Sequence, residues 1–107
     1  MRTIQIYGQN AWHNSAVILA DRDGLLALRG AIDRLLQTDK MSEHVNCYVS
    51  DGEGYHLFIS KIEDSKEWDK VELPYQAEIA KSKKAEMLAC NFISSETLQE
   101  ARKWKND

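Results

Sequence analysis

Ser15-Ala16-Val17-Ile18-Leu19-Ala20-Asp21-Arg22-Asp23-Gly24-Leu25-Leu26-Ala27-Leu28 changes periodicity partway along, and that change decides the expected fold. The first six residues are a nearly unbroken apolar run. Such a run predicts a strand covered on both faces and placed centrally in a sheet. Beyond Gly24, Leu25, Leu28, Ile32 and Leu35 recur at helical spacing, and Leu26 and Leu36 widen the stripe. Asp21 or Asp23 is placed to cap the free N–H groups of the first turn, and both carboxylates suit the positive end of the helix dipole. Arg22, Arg29, Asp33 and Arg34 form the polar face, and Gln37-Thr38-Asp39-Lys40 ends the pattern. Gly30 costs up to about 1 kcal/mol relative to Ala inside a helix; close packing against the sheet would account for it.

The flanking segments add strands. Thr3 to Tyr7 alternates, with Ile4 and Ile6 on one face, and predicts a strand with one wet face. Residues 8–14 form a polar and aromatic loop. Residues 44–62 read as a hairpin about Gly52-Glu53-Gly54. With Gly54 in the left-handed position, Val49 faces Leu57, Cys47 faces Ile59, and Tyr48 faces Phe58 on the other side. The same register sets His44 against Ile62 and His56 against Ser50. Residues 63–70 are a charged connection around Trp68, read as a helical turn. Residues 71–80 alternate strictly, and Pro74 makes that strand an edge or a bulge. Residues 81–84 form a turn and 85–93 a strand; a helix over 77–90 is the competing assignment. Ser94 or Ser95 caps a final helix with the stripe Leu98, Ala101 and Trp104, and Lys103 and Lys105 lie in its last turn. Strands come grouped and helices are few. The expectation is therefore α+β: a mostly antiparallel sheet of about five to six strands with two helices packed on one face. All 107 residues are expected to form a single domain.

Composition narrows the function. A net charge of −3 and a pI near 5.6 argue against nucleic acid as the main partner, since phosphate binding needs an excess of Lys and Arg. No run approaches the roughly 20 apolar residues of a membrane span. The alternating first residues do not resemble a signal peptide. A cytoplasmic location follows as the expectation, with Cys47 and Cys90 as reduced core residues, although a disulfide between them stays open.

Catalytic and cofactor motifs are missing from the sequence. The glycines fit neither a phosphate loop nor a dinucleotide fingerprint, and no Cys-x-x-Cys occurs. No cofactor or metal is expected. His13, His44 and His56 are far apart, and the Ser50–His56 pair reads as a plain cross-strand contact. Trp12-His13-Asn14 places a large aromatic in a loop, where it either caps the core or anchors a partner. Trp68 stands among Glu63, Asp64, Glu67, Asp69 and Glu72, either over a satellite core or as an aromatic ringed by carboxylates that docks a basic partner.

Residues 15–36 combine an apolar strand, the acidic entry Asp23-Gly24-Leu25, and Leu28, Ile32 and Leu35. With the hairpin strand Leu57-Phe58-Ile59-Ser60, they resemble small bacterial immunity proteins of polymorphic toxin systems; small phage-encoded inhibitors share the pattern. The resemblance covers about half the chain and carries over no functional residue. It implies a non-catalytic protein that binds and blocks one protein target, a toxin or a defence effector. The expected contacts are Trp12, His13, Asp64, Glu67, Trp68, Asp69 and Glu72. The alternative is a small-molecule or nucleotide-binding domain, or a small enzyme, with a pocket near His13, Tyr55 and His56.

Overall fold

Helix α1 (Arg22–Gln37) begins where strand β2 (Val17–Ala20) stops, and one aspartate makes the join. The Asp21 carboxylate accepts from the Gly24 backbone N–H at 2.7 Å and from the Thr3 N–H at 3.2 Å. Asp21 N–H in turn donates to the Thr3 carbonyl at 3.0 Å. The cap is therefore also a weld between the helix and the neighbouring strand β1 (Ile4–Tyr7). The structure is a computed structural model and describes residues 2–11, 13–74 and 87–104. The expected strand at 71–80 and the competing helix at 77–90 fall largely outside the described residues.

The element order continues with β3 (Ser42–Tyr48), β4 (Gly54–Ser60), a 3-10 turn at Ser65–Asp69, a second at Ala89–Phe92, and helix α2 (Ser95–Arg102). The class is α+β as expected, but the described residues hold four strands rather than five or six, in two antiparallel pairs, β1–β2 and β3–β4. A single parallel bridge, Thr3 to Tyr48, with Tyr48 N–H donating to Arg2 O at 2.9 Å, joins the pairs. The strand expected over 85–93 is instead a bridge at Met87 followed by the second 3-10 turn.

Strand β2 is not central. Among the described residues it pairs only with β1, and Val17, Ile18 and Leu19 are 46, 54 and 54% exposed. The reason lies in the cap. Bound to Thr3, α1 leaves the end of β2 and packs chiefly over β3. Residues 15–19 of the apolar run are then exposed among the described residues, and only Ala20 reaches the core.

The hairpin register also differs. Val45 faces Leu57, Cys47 faces Tyr55, and Tyr48 faces Gly54. The left-handed glycine is Gly52 (φ 94°), not Gly54. Gly52 N–H donates to Val49 O, Val49 N–H to Glu53 O, and Glu53 N–H to the Asp51 carboxylate. A type I turn followed by a left-handed residue gives this three-residue loop, and the Asp-Gly pair fixes where it falls. His44 consequently faces Phe58 and His56 faces Asn46, rather than Ile62 and Ser50. Relative to expectation the strands slide by an even number of residues, so every side chain keeps its face.

That alternation puts the helices on opposite faces of the hairpin rather than on one. Val45 and Cys47 join Ile4 and Ala31 in the buried core beneath α1, with Ala20, Ala27, Tyr55, Leu57 and Ile59 packed around them. On the reverse face, Ser42 Oγ donates to Thr97 Oγ1 at 2.8 Å, and Ser94, the cap of α2, bonds the same cluster. Trp104 packs edge-on against Tyr48 and His56 there. Across the sheet, Lys61 Nζ reaches the C-terminal carbonyls of α1 at Leu35 and Thr38.

Helix α1 buries only part of the expected stripe: Leu35 is buried and Leu28 half-buried, but the buried face is turned toward the small residues. Gly24, Ala31 and Leu35 are buried, whereas Leu25, Ile32 and Leu36 are exposed. The small residues face the sheet because the helix lies close to it. A Cβ on Gly24 would meet Thr3 O at 2.7 Å and Ile4 Cγ1 at 2.8 Å. Gly30 has no such role, since a Cβ there would meet only Arg34 Nη1, at 3.4 Å. Cys47 is buried and Cys90 is exposed, so only the first is a core residue, and both thiols are free.

Candidate protein-binding surface

The charged connection after β4 folds as a short capped turn. The Asp64 carboxylate accepts from Lys66 N–H at 3.0 Å and starts the 3-10 turn Ser65–Asp69. Glu72 N–H donates to Met87 O and Met87 N–H to Lys70 O, both at 2.9 Å, while Glu72 Oε2 accepts from Ala89 N–H at 2.6 Å. These bonds clamp the two 3-10 turns side by side. Ser60 Oγ donates to Phe92 O at 2.6 Å and ties the second turn to β4.

A largely apolar groove of about 550 Å³ opens between these turns and the outer face of β4, lined among others by Phe58, Ile62, Trp68, Val71, Cys90 and Phe92. Trp68 is 58% exposed, so it stands at the groove instead of closing a satellite core. Glu72 is a lining residue, while Asp64, Glu67 and Asp69 lie on the turn that carries Trp68. The groove thus gathers Trp68 and Glu72, with three further carboxylates beside them. His13 is elsewhere, exposed in the β1–β2 connection with a left-handed φ of 67°. Trp12 lies outside the described residues. Sequence reasoning missed Phe58, Ile62 and Phe92. The first two share the outer hairpin face by alternation, so that much of the signal was present; Phe92 enters only through the clamp between the turns.

The alternative pocket near His13, Tyr55 and His56 does not assemble around the strand residues. Tyr55 Oη donates to Ile4 O at 2.6 Å on the α1 side, and burial pushes its pKa up. His56 points the other way, with Nδ1 2.8 Å from Asn46 Oδ1 and its ring against Trp104. Neighbours on a strand face opposite sides. His44 shares the His56 face, and desolvation lowers its pKa. Among the described residues, no three His, Cys, Asp or Glu side chains converge as a metal site.

A polar cleft of about 520 Å³ lies along the free edge of β3, lined in part by Arg2, Arg34, Lys40, Glu43 and Glu100. Its buried carboxylate, Glu43, is already matched by Arg34 Nε at 2.8 Å and Lys40 Nζ at 3.5 Å. A charge so paired ties α1 to β3. No described helix is long and apolar enough to cross a membrane. Comparisons with family models, with curated proteins and with solved structures gave no match.

Proposed function

We propose that this chain is a non-catalytic protein-binding inhibitor that covers a basic surface of one target, as an immunity protein covers its toxin or an anti-defence protein its effector. One observation carries the reading: the exposed Trp68 stands on an apolar groove with Asp64, Glu67, Asp69 and Glu72 around it. Tryptophan beside an apolar depression is the usual anchor of a binding hot spot. Carboxylates around it raise the association rate with a cationic partner and disfavour acidic ones. The polar clusters elsewhere are internally satisfied, and no buried side-chain N or O atom among the described residues lacks a hydrogen-bond partner.

The test begins with the full chain as bait in its native host and identification of the captured protein by mass spectrometry. Titration calorimetry then compares the wild-type chain with a Glu67→Gln, Trp68→Ala, Asp69→Asn variant, which leaves the Asp64 cap in place. Losing a central anchor of at least about 2 kcal/mol weakens binding about 30-fold or more. A stoichiometric amount of the wild-type chain abolishes the target's activity. Unchanged affinity in the triple variant refutes this surface, and binding without inhibition refutes the inhibitor reading.

A further inference from the structure

Strand β3 pairs with β4 along one edge and is open along most of the other. At the two ends of the hairpin, Val49 N–H donates to Glu53 O and Lys61 N–H to Met41 O, so the odd-numbered residues of β3 bond to β4. Strict alternation turns the backbone N–H and C=O groups of His44, Asn46 and Tyr48 the other way. Tyr48 N–H uses that direction, donating to Arg2 O at 2.9 Å where the chain enters parallel to β3. The pairing stops there. Among the described residues, no strand pairs with β3 beside His44 and Asn46.

This open edge is the floor of the polar cleft, and side chains from the two helices form its walls. Helix α1 covers the face that carries Val45 and Cys47, and α2 covers the face that carries Ser42. The α1 wall is cationic. Arg34 and Lys40 stand half exposed on it, and Arg2 extends the row toward Leu26 and Ala27. The α2 wall is anionic, with Glu96 and Glu100 exposed beside Gln99. Glu43 and Asp23 on the first wall, and Lys103 on the second, reduce these charges without reversing either sign. His44 adds no charge at neutral pH, because desolvation lowers its pKa. Among the described residues, no ion pair spans the cleft from one wall to the other.

We propose that the β3 edge takes up an extended peptide segment of another protein as an added strand, with acidic side chains turned to α1 and basic side chains turned to α2. The backbone groups of His44 and Asn46 supply the ladder, which gives affinity without reading sequence. Successive side chains of a strand point to opposite faces, so the two walls read alternate positions of the segment. Walls of opposite sign therefore select a strict alternation of acid and base, and they fix which side of the segment faces which helix.

The same charges disfavour a second copy. Two β3 edges paired antiparallel about a twofold axis put α1 and its counterpart on one face of the joined sheet. Arg34 and Lys40 then approach their own copies, and Glu96 and Glu100 approach theirs. A partner's helix or closed sheet is also a poor occupant, since its backbone donors and acceptors are already used. The cleft shares no lining residue with the Trp68 groove, so neither site depends on the other.

Fluorescence anisotropy on the full chain reads the binding of labelled octapeptides made of equal numbers of Glu and Lys. The strictly alternating Glu-Lys peptide is expected to bind with a Kd of about 100 μM or tighter, and the block isomer Glu-Glu-Lys-Lys-Glu-Glu-Lys-Lys at least about 10-fold more weakly. An added strand bonds through every second residue, so of two alternating peptides, N-methylated on one alternate set or on the other, only one keeps its affinity. Lys40→Gln and Glu96→Gln, both at exposed positions, are each expected to weaken binding about 3-fold or more, whereas Trp68→Ala leaves it unchanged. In hydrogen exchange, about 1 mM alternating peptide slows the His44 and Asn46 amides about 10-fold and leaves His56 and Phe58, on the outer edge of β4, unchanged. Equal binding of the alternating and block peptides overturns the proposal, as does no binding at about 1 mM. So does a chain that sediments as a dimer with the His44 and Asn46 amides already slow, which assigns the edge to a second copy.

Discussion

The two glycines of α1 make opposite predictions for one substitution. At Gly30, alanine adds a methyl group whose nearest neighbour is Arg34 Nη1 at 3.4 Å, the far end of a flexible side chain. The helix then gains most of the Gly-to-Ala propensity difference, about 1 kcal/mol. For a domain of this size that raises the melting temperature by about 4 °C or more. At Gly24, the same methyl group meets backbone, Thr3 O at 2.7 Å, and Ile4 Cγ1 at 2.8 Å. Ile4 is wholly buried and Thr3 is held by Asp21 from both its N–H and its C=O, so neither yields easily. Overpacking of this kind costs about 1–3 kcal/mol. It outweighs a propensity gain that is diminished in the first helical turn, for a net loss of about 1–2 kcal/mol. Gly24→Ala and Gly30→Ala should therefore differ by about 2–3 kcal/mol in urea unfolding followed by circular dichroism, with similar m-values. Equal stabilisation by both would refute the close approach of α1 to β1. A loss at Gly30 would mean that its face is packed after all.

Two further outcomes follow from the geometry. Bonds from Gly24 and Thr3 hold the Asp21 carboxyl below its ordinary 3.8, and desolvation holds His44 below its ordinary 6.5. Both folded-state values are depressed, so each contribution to stability is full above the unfolded value and lost as pH falls through the folded one. Urea midpoints should fall with acidification below 6.5; His44→Gln flattens the upper part of that slope and Asp21→Asn the most acidic part, and unchanged slopes would refute these assignments. For the thiols, iodoacetamide should alkylate exposed Cys90 in the native protein and reach buried Cys47, whose pKa burial raises, only after unfolding. Equal native labelling in peptide mass spectra would contradict that placement.

Much of the local structure was legible because it depends on neighbours in sequence. The Asp21 cap, the Ser94 cap and the face of each hairpin side chain rest on contacts a few residues apart, or on strict alternation. The hairpin register was misplaced because Gly52 and Gly54 both offer a left-handed position. The bond from Glu53 N–H to Asp51 chooses between them. The Trp68 turn could be named from its charge pattern, whereas the groove it borders depends on the clamp between residues 70–72 and 87–89, which no local pattern announces.

By itself, the sequence determined that residues 22–37 form an amphipathic helix, that the class is α+β, and that the hairpin presents two distinct faces. Periodicity and capping act locally and survive any packing. Only the tertiary structure decided which apolar stripe of α1 meets the sheet. Hydrophobicity favours the leucines, but the weld from Asp21 to Thr3 brings the start of the helix so near β1 that only glycine fits at residue 24, and the face that follows it, Ala31 and Leu35, is the one buried. The same weld carries α1 away from β2 and leaves Val17, Ile18 and Leu19 open to solvent. Distance of approach, a property of the assembled layers, overrode a preference written along the chain.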